Sequence, residues 1–173
     1  SISDRDLMWD GWKSSELLTD SDEKIALRES MLADLPTGAE SAASRSDLIY
    51  TLASYYWAKG EFDKSSQLLK EGLKLAAGMK DRVAESQFGS GMGLVYHSQK
   101  RVKEAASSYE RAVELNPYNT HAWNNLAIAY NDQDDSQQAI IVCKKSIDLK
   151  PKNTTAYYIL GGLYHQRGQF EER

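Results

Sequence analysis

Residues 115–130 read LNPYNTHAWNNLAIAY and residues 149–164 read LKPKNTTAYYILGGLY, so Leu, Pro, Asn, Thr, Ala, an aromatic, Leu and Tyr recur in order thirty-four residues later. Tyr56, Tyr96, Tyr130 and Tyr164 carry the same register along the chain, at spacings of forty, thirty-four and thirty-four residues. A fixed period in this range is what a helical solenoid requires, because each helical hairpin has an apolar face that it buries only against its neighbour. Pro36, Pro117 and Pro151 each follow an apolar segment of helical period (IALRESMLADL, EAASSYERAVELN, QQAIIVCKKSIDLK) and read as helix stops, since proline lacks the N–H and clashes with the preceding turn. Leu48, Leu52, Tyr55 and Tyr56 fit one helical stripe, and Leu68, Leu69, Leu73 and Ala76 another, whereas sustained period-two alternation is missing. The short polar connections AKGEFD (58–63), SQKRVK (98–103) and NDQDDS (131–136) suit antiparallel helical neighbours. The expectation is an all-α fold.

Bulk composition narrows the function. With 173 residues, 41% hydrophobic and 27% charged, the chain has the material for a buried core. A formal charge of −4, with Lys and Arg dispersed, argues against nucleic acid or an anionic membrane surface as the principal partner, because both demand clustered cations. No apolar run approaches the roughly 20 residues that span a bilayer, so membrane insertion is not expected. The single cysteine, Cys143, excludes an internal disulfide and leaves the compartment undecided, with the cytoplasm as the default. Because the sequence opens on Ser1 and closes on FEER, the chain is expected to be a piece of a longer protein.

The repeated residues resemble the tetratricopeptide repeat, whose first helix carries an aromatic, then Leu and a small residue, then Tyr. Its second helix carries a small, a bulky and a small residue, with Pro at the exit. Residues 120–153 supply Trp123, Leu126, Ala127, Tyr130, Ala139, Cys143, Ser146 and Pro151. Residues 86–119 supply Met92, Gly93, Tyr96, Ala105, Tyr109, Ala112 and Pro117, with Gly89 in place of the aromatic. Residues 46–79 are looser, with Leu52, Ala53, Tyr56, Gly60, Phe62, Leu69 and Gly72, no closing Pro, and an extension KDRVAE that looks like the longer repeat variant ending in a Gly-containing turn. Residues 154–173 start correctly with Tyr157, Leu160, Gly161 and Tyr164 and stop within the second helix. Small residues belong where two helix backbones approach closely and bulky ones fill the space beside them. The resemblance implies a right-handed superhelix of three to four helical hairpins over residues 46–173, preceded by an N-terminal helical extension or cap over residues 1–45. In that extension, Asp20 and Glu23 have capping-box spacing ahead of a stripe of Ile25, Leu27, Met31, Leu32 and Leu35. The stretch DRDLMWDGWKSSELL reads as a second helix, with Trp9 and Trp12 packing on the solenoid.

If the chain follows the repeat frame, the first helix of each hairpin lines a concave groove. Tyr50, Ser54 and Trp57, then Gln87, Ser90, Leu94 and His97, then His121, Asn124, Ile128 and Asn131, then Tyr158, Gly162 and His165 would face it. A polar and aromatic lining with little charge suits a peptide or protein segment, through amide hydrogen bonds and flat apolar contact. The expected function is therefore a non-catalytic protein-interaction module. Its expected site residues are Tyr50, Trp57, Leu94, His97, His121, Asn124, Ile128, Asn131, Tyr158 and His165. Self-association through the incomplete repeat at 154–173 is the alternative, since solenoid ends normally carry a polar cap.

Other chemistries find little support. Gly89, Gly91 and Gly93 lack the preceding strand and the further glycine or lysine of a phosphate loop, and fit a helix that is softened or that lets a ligand backbone approach. The run NDQDDSQQ lacks the glycine and final glutamate of a calcium loop, and Asp135 or Ser136 is expected to cap the next helix. Three histidines on separate helices lack the local spacing of a metal site, so neither metal nor cofactor is expected. Cys143, on a stripe with Ala139, Ile140 and Ile147, reads as a small buried hydrophobe. Family members that clamp the acidic C-terminus of a heat-shock chaperone use Lys, Asn and Arg on successive first helices. Here those positions hold Tyr50, Ser54, Gly91, His121 and Asn125, or Ser90, Leu94, Asn125, Thr155 and Ile159 one repeat on, without the cations a carboxylate needs.

Overall fold

The computed structural model describes residues 7–10, 14–19 and 22–171. The described residues form helices α1 (Ser14–Leu17), α2 (Asp22–Asp34), α3 (Ala42–Lys59), α4 (Phe62–Met79), α5 (Arg82–Ser98), α6 (Val102–Leu115), α7 (Thr120–Asp132), α8 (Ser136–Leu149) and α9 (Thr154–Glu171). A single 3₁₀ turn at Ala39–Ser41 leads into α3. From α3 onward each helix packs on the next, and the odd helices also touch one another in the order α3, α5, α7, α9. The even helices are spread further apart, which makes the odd-helix wall the inner, concave one.

Local sequence sets the turns. At the ends of α3, α4, α5 and α7, Gly60, Lys80, Lys100 and Asp134 adopt φ of 81°, 56°, 63° and 63°. The amide of the following residue then reaches back to Tyr56, Ala76, Tyr96 and Tyr130, satisfying carbonyls that the helix end leaves free. The longer first repeat therefore does not close on a glycine as expected; Lys80 takes the left-handed position and Gly78 stays inside α4. Nor does the last segment turn into a second helix after Tyr164 as expected: α9 runs unbroken from Thr154 to Glu171. α6 and α8 stop differently. Asn116 and Lys150 are extended (φ −136° and −139°), as the Pro117 and Pro151 rings that follow them demand. Asp81, Asn119, Asp135 and Asn153 then accept the amides of Ala84, Ala122, Gln138 and Ala156 and start the next helices.

Close approaches fall where small residues occur. A Cβ on Gly72 would lie 2.2 Å from the Phe88 ring, and one on Gly93 would lie 2.5 Å from the Tyr109 ring. Those two aromatics, with Ile49, Leu69, Leu94, Ile128, Ile159 and Leu163, fill the space between the helix layers. Cys143 is fully buried there, and burial pushes its thiol up to about 12, so it behaves as the expected hydrophobe.

α2 lies against α3. Ile25 packs with Leu52, Tyr55 and Tyr56; Tyr55 donates to Asp22 at 2.9 Å and Tyr56 to Glu29. Arg45 donates to the Leu32 and Leu35 carbonyls at the end of α2 and pairs with Glu71 at 2.7 Å. The inward face of α2 is thus Asp22, Ile25, Glu29 and Leu32, whereas Leu27 and Met31 of the expected stripe are 61% and 49% exposed. The expected capping residue Asp20 and the expected packing of Trp12 lie outside the described residues. Residues 7–10 are not helical, contrary to expectation. Their side chains are drawn into the groove instead of making helical contacts with one another.

Candidate groove on the concave face

The inner wall is already covered over part of its length by the chain's own N-terminal segment, Leu7–Asp10. Trp9 is 2% exposed and its ring stands 5.3 Å from Tyr50 and 5.8 Å from Trp57, both on α3. Tyr50 in turn meets Phe88 edge-on at 5.5 Å, the arrangement that the ring quadrupoles favour. Across the groove the indole lies over α5 at Gly91, where a Cβ would come within 2.8 Å of Trp9 and 2.7 Å of Leu69. Gly91 is therefore the floor of an indole pocket. On either side of Trp9 the segment is held by polar contacts: Asn125 Nδ2 donates to the Met8 carbonyl at 3.0 Å, and the Tyr50 hydroxyl donates to Asp10. Asp10 adopts φ 46°, a conformation that Asp tolerates better than most residues.

Electrostatics follow from this enclosure. Burial first, and then the Asp10 carboxylate, hold the Tyr50 hydroxyl well above its usual range, so it remains a donor. Met8 closes a crevice with His121, Asn124, Asn125, Ile128, Thr155 and Ile159 that leaves no room for a water molecule. Burial pushes the His121 imidazole below its ordinary value; Asp10 opposes that shift and Lys150 adds to it.

The expected groove residues divide into three groups. Tyr50, Trp57 and His121 border the N-terminal segment, and Trp57 also donates its indole N–H to Ser98 at 3.0 Å. Leu94, His97, Asn124 and Ile128 are at most 3% exposed and form the structure beneath it. His97 faces Asp132 through Nε2 at 2.7 Å. Asn124 accepts from Ser146 at 2.8 Å and from Asn153 at 3.2 Å, and donates back to Asn153. Ser146 also donates to the Thr120 carbonyl, so this network ties α7 to α8 and to the turn before α9. The preceding hairpin has a counterpart in which Ser86 donates to the Ala112 carbonyl and accepts from Asn119. Asn131 is half-buried at the end of α7, and Tyr158 (61% exposed) and His165 lie open on α9. The three histidines are thus separated, and no group of three or more His, Cys, Asp or Glu among the described residues could hold a metal ion.

Sequence reasoning placed Trp9 on the solenoid, as found, but not in the groove, and missed Met8, Asp10, Gly91 and Asn125 as groove residues. Gly91 carried a signal, since a glycine inside a helix weakens it unless something must come close. What comes close is a ring of the chain itself.

No described helix is long and apolar enough to cross a membrane. Models of the tetratricopeptide repeat match residues 46–78 and 120–153, and a TPR-repeat model matches 93–134. No curated protein sequence matches the chain. Among solved structures, the crystal structure of MamA aligns with TM-score 0.64 at 20% identity, covering 85% of this chain and 78% of that one. The TPR-like repeats of a protein assigned as a kinesin light chain in Podosopora anserina align with TM-score 0.65 at 20% identity, covering 87% and 80%. BtubC (BKLC) from P. vanneervenii aligns with TM-score 0.71 at 16% identity, covering 86% and 67%. At such identities these likenesses concern the fold alone. With helical hairpins stacked in register and the repeat models matching along the same stretch, this chain belongs to the tetratricopeptide-repeat family.

Proposed function

We propose that the concave groove binds an extended peptide segment of a protein partner and does no chemistry on it. The working unit is the solenoid over 46–173, with 1–45 as an extension whose helix α2 packs on the first hairpin and whose residues Leu7–Asp10 reach into the groove. Tyr50, Trp57, His121, Asn131, Tyr158 and His165 are the surfaces offered to the partner. Leu94, His97, Asn124 and Ile128 hold the wall in shape. The observation that carries this reading is that the groove accepts a non-helical run of chain, Leu7–Asp10, with a buried ring and a backbone carbonyl bonded to Asn125. Side-chain amides reading a peptide backbone are a recognition device largely independent of sequence, on which pockets for single side chains impose specificity.

A random peptide display library selected on the full chain tests this. Peptides that perturb the amide resonances of Tyr50, Asn125 and Tyr158 and lose binding in Asn125→Ala are the expected result. Selected peptides that perturb only α2 or the outer faces of α4, α6 and α8 would contradict it.

A second reading, self-association, is favoured by α9, which exposes Tyr157, Tyr158 and Tyr164 at 51%, 61% and 46%. Light scattering across a hundredfold concentration range checks it: a concentration-dependent dimer lost in Tyr158→Ser supports it, and a monomer throughout rules it out.

A further inference from the structure

We infer that the groove's partner is a short linear peptide of the type apolar, any residue, Trp, carboxylate, and that Leu7–Asp10 is an internal copy of that ligand which the partner must displace. This rests on the peptide-groove reading above and specifies its ligand. Leu7, the apolar position, is 2% exposed within the main core cluster, and three further elements of the internal segment meet features that read their chemistry. The indole fills a slot walled by Tyr50 and Trp57 and floored by Gly91, where any larger residue would collide with it. The following carboxylate meets the Tyr50 hydroxyl and lies near His121. The preceding carbonyl is held by Asn125, whose own side chain is 2% exposed and so built to make that contact.

The internal ligand is also imperfect. Trp9 Nε1–H is buried and makes no hydrogen bond of good geometry, with the Tyr50 hydroxyl, itself engaged by Asp10, close to it; a poorly satisfied buried donor favours release. Its advantage is tethering. A covalently linked segment acts at an effective concentration of order millimolar, so a peptide of roughly 10–100 μM intrinsic affinity would be held off by about one to two orders of magnitude. Removing the indole from the chain removes the competitor and leaves the pocket.

The experiment uses the full 173-residue chain and a fluorescein-labelled peptide of sequence RDLMWDGW, titrated by fluorescence anisotropy. Trp9→Ala is expected to bind the peptide at least tenfold more tightly than wild type, and Asp10→Asn, which keeps shape and removes charge, about threefold more tightly. In Trp9→Ala, a peptide with Ala for its first Trp should bind at least tenfold more weakly. Adding Gly91→Ala, which closes the slot, should abolish binding while circular dichroism stays helical. Equal affinities of wild type and both variants overturn the inference. So does a Trp9→Ala chain that binds the Trp-less peptide as well as the parent. If the display library yields groove-binding peptides without a Trp–acid pair, the peptide-groove reading stands and this inference fails; if it yields none in the groove, both fail. A wild-type dimer that dissociates on Trp9→Ala would assign the segment to a second copy, which also overturns it.

Discussion

The two halves of the concave wall are built from the same repeat and have opposite surfaces. Over α3, α5 and α7 the wall is covered: Trp9 is 2% exposed, and Tyr50, Trp57 and His121 are wholly or half buried around the segment that carries it. On α9, Tyr158 remains 61% exposed and His165 is open. The repeat register alone does not decide whether a position on the inner wall is surface. That depends on what lies across it, which is set by a segment more than thirty residues away in sequence.

The largest effect that would break this comparison concerns the polar network under the covered half. Asn124→Ala leaves Ser146 and Asn153 with lost partners in a buried site, and should lower unfolding free energy by about 2–3 kcal/mol in urea denaturation. A loss within 0.5 kcal/mol would show that Asn124 is a surface residue after all. Gly91→Ala gains roughly 1 kcal/mol in helix propensity, but forces Leu69 and Trp9 aside, and overpacking should leave the chain about 1–2 kcal/mol less stable. In a Trp9→Ala background part of that loss should vanish, a coupling measurable by a double-mutant cycle.

His121 makes the comparison pH-dependent. Because its pKa is lowered in the folded chain, its contribution is fully present above the unfolded value of about 6.5 and is lost as pH falls through the lower folded value. The thermal midpoint of wild type should therefore drop more between pH 7 and pH 5 than that of His121→Gln. On the turns, Asp134 is a non-glycine residue at φ 63°, so Asp134→Gly should raise stability by about 1 kcal/mol by relieving left-handed strain. The smallest effect is expected in the open half, where Tyr158→Ala should change stability by no more than about 0.5 kcal/mol.

Much of the solenoid was legible in the sequence because its determinants are local. Tyr96 and Tyr130, whose carbonyls close the turns after α5 and α7, the prolines after α6 and α8, and the capping Asn119 and Asn153 each act within a few residues of where they stand, whereas at Tyr164 the register brings no turn because α9 continues to Glu171. Gly72 and Gly93 were legible as close-packing positions because the repeat places them opposite bulky side chains. The groove was less legible. His97 and Asn124 occupy inner-wall positions, yet each is consumed by a partner on another element, Asp132 and Asn153 respectively, that no periodicity announces. Residues 7–10 were misread as part of a helix because nothing local marks their fate: the contact of Trp9 with Gly91 bridges eighty-two positions in sequence. Lys80 was missed for a simpler reason. A lysine can adopt the left-handed region when the helix end is tied down by hydrogen bonds, here from the amides of Lys80 and Asp81 to Ala77 and Ala76.

The central claim is that Trp9 lies in the groove of its own chain, and nuclear Overhauser contacts in the isotopically labelled 173-residue chain test it most directly. Cross-peaks from the Trp9 six-membered ring to the Gly91 α-protons and a Leu69 methyl group are predicted, as both stand against the indole slot. A Trp9 ring with random-coil shifts and no contact to α5 would contradict the account.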